Sequence, residues 1–228
     1  MEGRAGLTSV TKNAVTVVLL RQNLSELQVL LLKRSAHARG HPGSWVFPGG
    51  PVRVSDGDSS QSFECARAAA VRETFEECAI KVLAKGLRVL SVWVPPDGGS
   101  MRYNTVYFVS AVPSSSSPRV NGTDIKDARW VNPRVALADH SRGALNLLPP
   151  TWMTLHALSF SASIADALEA CSATPRVFRT RIEQGPDEIF VGWDGIPSQR
   201  LRISSLPWSL EATPVLSSGV DYQESRSR

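Results

Sequence analysis

Short runs of β-branched and leucine residues, separated by polar stretches, dominate the first part of the chain. Asn13 to Leu20 and Leu27 to Lys33 are two such runs, and the polar stretch Arg21 to Glu26 lies between them. Runs of this length and composition are typical of buried strands. The pattern therefore predicts two strands that are joined by a turn and buried in a sheet.

A second pair of apolar runs occupies the middle of the chain. Leu87 to Val94 and Tyr103 to Val112 flank Pro95 to Arg102, which is rich in glycine and proline. This arrangement predicts a β-hairpin. Further on, Pro133 to Asp139 predicts a short helix, because proline is favoured in the first helical turn.

In the C-terminal third of the chain, the spacing of apolar residues changes from helical to alternating. Pro149 to Cys171 carries apolar residues at broadly helical intervals, which predicts a core-facing helix with an interruption around Phe160 to Ser163. Arg176 to Ile182 and Glu188 to Trp193 alternate like paired strands. The domain hypothesis has four parts: a flexible N-terminus (1–12), one main domain (13–172), a β extension packed on that domain (173–214) and a disordered tail (215–228).

Composition narrows the class of protein. Of the 228 residues, 42% are apolar and 20% are charged, which is typical of a soluble globular domain rather than a disordered chain. The apolar runs are far shorter than a membrane-spanning helix requires, so no membrane partner is expected. A net charge of +4 is too small to favour nucleic acid but suits a small polyanion. Three cysteines without metal-ligand spacing favour a reducing compartment.

Three carboxylates follow one another at helical spacing. Glu73, Glu76 and Glu77 stand at positions i, i+3 and i+4, so a helix would project them from one side. Like charges at this spacing destabilise a helix unless water or a cation compensates them. Mg²⁺ prefers oxygen ligands and shares its shell between carboxylates and substrate phosphates. The pattern alone leaves two alternatives, a metal site or a solvated acidic surface.

The same helix should begin near Ser62, which is a suitable N-cap residue. Its core-facing side is expected to be a broad apolar stripe that packs on the sheet. The residues of that stripe are Phe63, Ala66, Ala70, Val71, Phe75 and Cys78.

A basic, glycine-containing loop precedes the acidic helix. Arg34 to Gly43 contains two arginines, and an arginine fork suits bidentate phosphate contacts. A short apolar strand then leads to Gly49 and Gly50, where the chain can approach a metal or pyrophosphate closely. An ordinary polar surface loop is the alternative interpretation of the basic stretch.

The residues from Gly50 to Ile80 resemble the Nudix box, G-x5-E-x7-R-E-U-x-E-E-x-G-U, where U is aliphatic. Arg72 to Glu77 matches the helical half of that pattern. The sequence departs from it in the loop, where 21 residues separate Gly50 from Arg72 and the pattern has thirteen. Thr74 and Ala79 also replace an aliphatic residue and a glycine.

A second resemblance lies upstream of the box. Leu31-Leu32-Lys33-Arg34-Ser35, followed by Arg39, His41, Gly43 and Phe47-Pro48-Gly49-Gly50, is similar to the signature of the coenzyme A diphosphatase branch of the Nudix superfamily, which includes the peroxisomal-type acyl-coenzyme A diphosphatases. That branch hydrolyses the pyrophosphate bond of coenzyme A or its thioesters. The resemblance implies 3′,5′-ADP and 4′-phosphopantetheine, or its acyl form, as products.

The two resemblances together imply an α/β fold of α+β type, a Nudix αβα sandwich with a mixed sheet, extended by a C-terminal helix and a small β appendage. They imply a cofactor, Mg²⁺ or Mn²⁺, and a small-molecule nucleotide partner. The implied roles fall on eleven residues: catalytic Arg72, Glu73, Glu76 and Glu77; metal-binding Gly49 together with the three glutamates; substrate-binding Arg34, Ser35, Arg39 and His41; and two further acids, Glu64 and Asp124.

Two other functions stay open at this stage. The same fold could act on another nucleotide, such as NADH, ADP-ribose or a diadenosine polyphosphate, or it could bind a nucleotide without catalysis. The resemblance is compatible with a peroxisomal or mitochondrial location inside the cell, although the C-terminus does not match the S-K-L type of signal. A cytoplasmic location is the alternative.

Overall fold

The computed structural model describes residues 11–57, 62–97, 102–169, 171, 174–194 and 199–212. The strands are β1 (Thr11–Asn23), β2 (Glu26–Arg34), β3 (Trp45–Val46), β4 (Gly49–Pro51), β5 (Arg88–Val94), β6 (Arg102–Ala111), β7 (Ile125–Val131), β8 (Arg176–Gln184), β9 (Ile189–Trp193), β10 (Gln199–Arg202) and β11 (Ser209–Ala212). The α-helices are α1 (Phe63–Cys78), α2 (Pro133–Ser141), α3 (Pro149–Leu158) and α4 (Ile164–Glu169). Two 3₁₀ turns cover Val54–Asp56 and Ala84–Gly86.

The sheet is mixed, as the sequence predicts. Its strands run in the order β11-β10-β9-β8-β5-β6-β1-β2-β3, with β4 paired to β1 and β7 paired to β2. β1 is parallel to β6 and antiparallel to β2, while β5 and β6 form the predicted hairpin pairing. Buried clusters lie on both faces of the sheet, each against helices. The predicted αβα sandwich is therefore confirmed.

Strand alternation assigns the core residues to the two faces. Val15, Val17 and Leu19 of β1 point into the cluster that packs against α1. Val18 and Leu20 point into the opposite cluster, which contains the buried side chains of α3. Successive side chains of a strand project to opposite sides, so one continuous apolar run supplies both cores.

The first two strands separate away from their turn. β1 and β2 pair directly from Leu20 opposite Val29 to the turn, but beyond that point each takes a different partner. Thr16 of β1 lies opposite Gly49 of β4, and Leu32 of β2 lies opposite Val46 of β3. This separation leaves a gap in the sheet, and the segment that fills it carries the two adjacent glycines.

The packing face of α1 differs from the predicted stripe. Small residues line the buried side of α1: Cys65, Ala66, Ala69, Ala70, Thr74 and Cys78. The side chains of Phe63 and Phe75 are 52% and 50% exposed, so these two members of the predicted stripe are wrong. Small side chains allow the helix axis to approach the sheet, and this approach brings the inward-facing carboxylates of α1 close to the strands.

The C-terminal strands continue the central sheet. β8 runs parallel to β5, with Ser91 opposite Arg176. The ring of Trp93 stacks on Phe178 with 4.2 Å between centroids, and Trp193 packs edge-on against Trp93 at 5.7 Å. The sequence between Pro149 and Cys171 forms α3 and α4, so the predicted helix is interrupted where expected.

Two other expectations concern the termini. The flexible N-terminus was expected to extend to residue 12, but Thr11 and Lys12 belong to β1 and pair with Arg102 and Tyr103 of β6. Residues 1–10 and the predicted tail 215–228 lie outside the described residues. In the described part of the chain, no helix has the length and hydropathy needed to cross a membrane.

Candidate active site

Helix α1 presents the carboxylates, and both of its ends are capped. The N–H of Cys65 donates to the Ser62 hydroxyl at 3.1 Å, as the sequence predicts. The helix ends at Ala79, whose backbone is left-handed at φ 57° and ψ 19°. Ala79 occupies the position where the Nudix pattern has glycine, the residue that adopts this conformation at least cost.

The adjacent glycines bring main chain against two of the glutamates. The N–H of Gly49 donates to Glu77 Oε2 at 2.9 Å. A Cβ placed on Gly50 would lie 2.6 Å from the carboxylate of Glu73, and one on Gly49 would lie 2.2 Å from the carbonyl oxygen of Val15. A side chain fits at neither position without displacing its neighbours. Close approach to the main chain of β1 therefore requires glycine at position 49, whereas a Cβ at position 50 would displace the Glu73 carboxylate.

Glu77 is a buried acid with a strongly perturbed pKa. Burial is the main cause that raises the pKa of Glu77 to about 7, and the N–H of Gly49 partly opposes that rise. The charges of Glu73 and Asp124 raise the pKa further, whereas the charge of Arg34 lowers it. Burial therefore disfavours the charged form of Glu77, and the nearby carboxylate of Glu73 adds to that effect.

Glu76 is the most exposed of the three glutamates. Its side chain is 42% exposed and is bridged by the guanidinium of Arg53, with Nη1 and Nη2 each 3.3 Å from a carboxylate oxygen. Arg53 Nη2 also lies 3.6 Å from Glu73 Oε1. A single guanidinium thus lies between two of the predicted metal ligands.

Arg72 links these carboxylates to the loop before α1. Its guanidinium forms a fork with Asp56, with Nε at 2.8 Å and Nη2 at 2.9 Å from the two carboxylate oxygens. Its Nη1 contacts Glu73 at 2.5 Å and Glu76 at 3.3 Å. The hydrogen bonds from Arg72 hold the pKa of Asp56 below its usual value. Arg72 therefore contacts two carboxylates of α1 and the loop before the helix at the same time.

Sequence reasoning missed Arg53 and Asp56. Both lie in the stretch that has no counterpart in the family pattern, so motif matching assigns them no role. The structure places them at the two ends of one 3₁₀ turn, where the N–H of Arg53 donates to Asp56 Oδ2 at 2.7 Å. The only sequence signal was the three-residue spacing of a basic and an acidic residue, which is common in surface loops.

The basic loop lies beside Glu77. Arg34 and Asp124 both influence the pKa of Glu77, and the charge of Arg34 also contributes to the lowered pKa of His41, after burial. Main-chain bonds fix the loop, with the N–H of Ser35 donating to the carbonyl oxygen of Asp124 at 2.7 Å. Arg34 and Asp124 therefore lie close enough to Glu77 for their charges to act on its pKa, and His41 lies near Arg34.

The other two predicted substrate-binding residues, Ser35 and Arg39, differ in exposure. The Ser35 side chain is buried and its hydroxyl accepts a hydrogen bond from the N–H of His37, so it supports the loop. Arg39 is exposed on the same loop. Arg34 Nε donates to the carbonyl oxygen of Gly40 at 2.7 Å, which holds the two sides of the loop together.

The structure separates Glu64 from the other acids. Glu64 is exposed in the first turn of α1. It precedes Glu73 by nine positions, which corresponds to about 13 Å along a helix. That separation leaves Glu64 outside the reach of an ion held by Glu73 or Glu77.

The residues present fit a hard divalent cation after one rearrangement. Among the described residues, no three His, Cys, Asp or Glu side chains converge as a ready-made metal site. Arg53 lies between Glu73 and Glu76, so its guanidinium contacts two of the predicted ligands. All the carboxylate donors are oxygens, which are the ligands that Mg²⁺ prefers. Release of both carboxylates from Arg53 is the rearrangement that would make their oxygens available to a cation.

Comparisons with known proteins identify the family of the chain. Residues 10–149 match the family model described as the NUDIX domain. A Caenorhabditis elegans protein named "Putative nudix hydrolase 7" is 23% identical over 188 residues, which cover 67% of this chain and 62% of that protein. The chain thus spans less than two thirds of the length of that relative.

Solved structures show the same fold. The crystal structure of a NUDIX hydrolase from Alicyclobacillus acidocaldarius matches with a TM-score of 0.64 and 23% identity, covering 74% of this chain and all of that one. The NUDIX domain of Shewanella oneidensis NrtR, solved with ADP ribose, matches with a TM-score of 0.51 and 19% identity, covering 68% of this chain and 90% of that one. Nudix hydrolases generally use divalent metals such as Mg²⁺ or Mn²⁺. The family match spans more than half of the sequence and includes the acidic helix, and the chain therefore belongs to the Nudix family.

Proposed function

We propose that this protein is a divalent-metal-dependent Nudix hydrolase that cleaves the pyrophosphate bond of coenzyme A or acyl-coenzyme A. The observation that supports the proposal is the proximity of Arg34, from the basic loop, to the acidic helix, where its charge lowers the pKa of Glu77. A site that has carboxylates on one side and arginines on the other can hold a metal and a phosphate-rich substrate together.

In the proposed reaction, the oxygen of a water molecule attacks one phosphorus of the pyrophosphate and the bridging P–O bond breaks. The bridging oxygen leaves with the second phosphate, so one water is consumed and two phosphate monoesters are formed. One is 3′,5′-ADP and the other is 4′-phosphopantetheine or its acyl form. The proton of the water passes to a carboxylate of the cluster, either a glutamate of α1 or Asp124.

The chain's own residues have distinct roles in this scheme. Glu73, Glu76, Glu77 and the Gly49 carbonyl would hold Mg²⁺ or Mn²⁺, which neutralises phosphate charge and lowers the pKa of water when bound. Arg72 positions the glutamates through its contacts with Asp56 and Glu73. Arg34, Arg39 and His41 are proposed to face the phosphates of the substrate, and a covalent enzyme intermediate is unnecessary for this reaction.

The direct test is a substrate panel in the presence of Mg²⁺ or Mn²⁺. It compares coenzyme A, acetyl- and longer acyl-coenzyme A, NADH and ADP-ribose, with identification of the products. Release of 3′,5′-ADP with the highest kcat/KM among these substrates supports the proposal. The variants Glu76→Gln and Glu77→Gln should lose this turnover while circular dichroism shows that they are folded. That result would assign the activity to the acidic helix. Glu64→Gln is the matched control.

The basic loop is tested separately. Arg39→Ala should raise KM for coenzyme A more than for dephospho-coenzyme A, because only the former carries the 3′-phosphate. Lys85→Ala removes an exposed cation elsewhere and should change neither value. Equal losses on both substrates would contradict contact between Arg39 and the 3′-phosphate.

A second candidate is hydrolysis of ADP-ribose or a related nucleotide diphosphate. The fold neighbour from Shewanella oneidensis was solved with ADP ribose, which is the observation that favours it. In the same panel, a higher kcat/KM for ADP-ribose than for coenzyme A would select this candidate. The acidic helix has the same role in both, so the carboxylate variants do not separate the two substrates.

A further inference from the structure

The guanidinium of Arg53 lies between Glu73 and Glu76, two of the predicted metal ligands. It lies within 3.3 Å of both oxygens of Glu76 and 3.6 Å from Glu73 Oε1. Arg72 Nη1 also lies between these two carboxylates, 2.5 Å from Glu73 and 3.3 Å from Glu76, but Arg72 is held in place by its fork with Asp56. Arg53 is therefore the cation beside the two carboxylates that has no such fork.

The main chain of Arg53 is anchored while its side chain is accessible. The N–H of Arg53 donates to Asp56, and Asp56 is held in turn by the fork of Arg72. The Arg53 side chain is 49% exposed. A guanidinium on a fixed main chain can move from one anionic partner to another without movement of the loop.

We infer that Arg53 is an internal cation that competes with the metal for Glu73 and Glu76 and that, once displaced, contacts the phosphate of the substrate. The inference rests on the proposed function. It assigns a second role to the inserted loop, which brings a movable positive charge to the acidic helix. Metal binding and substrate binding are linked by the exchange of partners at this one side chain.

Removal of the Arg53 side chain is expected to have opposite effects on metal affinity and on phosphate affinity. Exposed ion pairs contribute modestly, so removal of the two Arg53 contacts should strengthen metal binding by about two- to tenfold. Loss of the cation should weaken the binding of a phosphate ligand at saturating metal. Lysine at this position retains the charge but loses the fork, and its effects should be intermediate.

The experiment uses the full chain and reads Mn²⁺ binding directly, from the electron paramagnetic resonance signal of free Mn²⁺ and without substrate. The variants are Arg53→Gln, Arg53→Lys and Glu76→Gln, with Lys85→Gln as the control for loss of one surface charge. Inorganic pyrophosphate at saturating Mn²⁺ is the phosphate probe. The expected result is tighter Mn²⁺ and weaker pyrophosphate binding in Arg53→Gln, with no change in Lys85→Gln.

The possible outcomes separate the inference from the proposed function. If Glu76→Gln weakens Mn²⁺ binding but Arg53→Gln leaves Mn²⁺ affinity at the wild-type value, the competition is overturned and the metal site stands. If Arg53→Gln strengthens Mn²⁺ binding and leaves pyrophosphate binding unchanged, the exchange of partners is overturned. If wild-type protein and Glu76→Gln bind Mn²⁺ equally, the metal site and the inference both fail.

Discussion

Glu77 shows how burial and charge at a single residue are linked to stability. Burial and the charges of Glu73 and Asp124 raise its pKa to about 7 in the folded protein, above its ordinary value of 4.5. A group with a raised pKa in the folded state binds protons more tightly there, so its stabilising effect is complete below pH 4.5 and is lost as the pH rises through 7. Above pH 7 the Glu77 carboxylate is ionised while it is buried, and this lowers the stability of the metal-free protein.

This linkage predicts that Glu77→Gln stabilises the metal-free protein at alkaline pH. Glutamine cannot ionise, so the variant should be more stable than the wild type by about 2 kcal/mol at pH 8. The difference should shrink towards pH 4.5. Urea unfolding with EDTA at both pH values measures it, and Glu64→Gln on the exposed side of α1 is the control. The same difference at both pH values would contradict the buried-charge explanation.

Ala79 provides a second prediction at a single residue. Its left-handed conformation costs an L-residue about 1–2 kcal/mol relative to glycine, which partly offsets the entropic cost of glycine in the unfolded chain. Ala79→Gly should therefore raise the free energy of unfolding by about 0.5–1 kcal/mol. Ala68→Gly is the matched control: this substitution lies within α1, where glycine should lower the free energy of unfolding by about 0.5–1 kcal/mol. Destabilisation by both substitutions would argue against backbone strain at Ala79.

At the scale of elements, the pair formed by Asp56 and Arg72 connects the described part of the inserted loop (51–57) to α1. The Asp56 side chain is only 4% exposed and accepts two hydrogen bonds from Arg72. Arg72 also donates to the carbonyl oxygen of Pro51 at 3.0 Å. The loop is therefore fastened to the helix that carries the carboxylates.

Asp56→Asn should lower the free energy of unfolding by about 1–3 kcal/mol, because one charge-assisted bond is lost and the Arg72 guanidinium is left poorly paired. Thermal or urea unfolding measures the change. Asp97→Asn removes an aspartate that also pairs with an arginine, Arg102, but is 96% exposed, and it should change stability by less than about 0.5 kcal/mol. Equal effects of the two substitutions would show that the Asp56 pair is no stronger than a surface contact.

At the scale of the whole molecule, the C-terminal strands share a core with the main domain. Trp93 lies in β5, Phe178 in β8 and Trp193 in β9, and their rings contact one another. Trp193 is fully buried. The main chain of β8 also pairs with β5. Unfolding of the two regions should therefore be one cooperative event.

Trp193→Ala should destabilise the whole chain by about 3–5 kcal/mol, as expected for removal of a large buried aromatic ring. Val177→Ala, in the neighbouring strand and 40% exposed, is the control and should cost far less. Unfolding followed by fluorescence and by circular dichroism should give coincident transitions. Two separate transitions would show that the C-terminal strands form an independent unit.

Local pattern was sufficient for most elements of the fold. The runs from Asn13 to Leu20 and from Leu27 to Lys33 predicted β1 and β2, and the spacing after Pro149 predicted helices with the observed break. The stripe on α1 was partly wrong because apolar character alone does not identify the buried side. Alanine and cysteine line the side of α1 that packs closely on the sheet, because larger side chains would not fit there. Phe63 and Phe75 are half exposed.

The sequence by itself determined the acidic helix, the capping Ser62, the glycine pair and the chemistry that they imply, because each depends on residues close together in the chain. The tertiary structure alone decided which carboxylates are buried, because that depends on the separation of β1 from β2 and on the depth at which α1 packs. It also decided that Arg53 lies beside Glu73 and Glu76, which are twenty and 23 positions away in the sequence. Contacts of that kind depend on loop path, and the hydrophobic pattern carries no information about it.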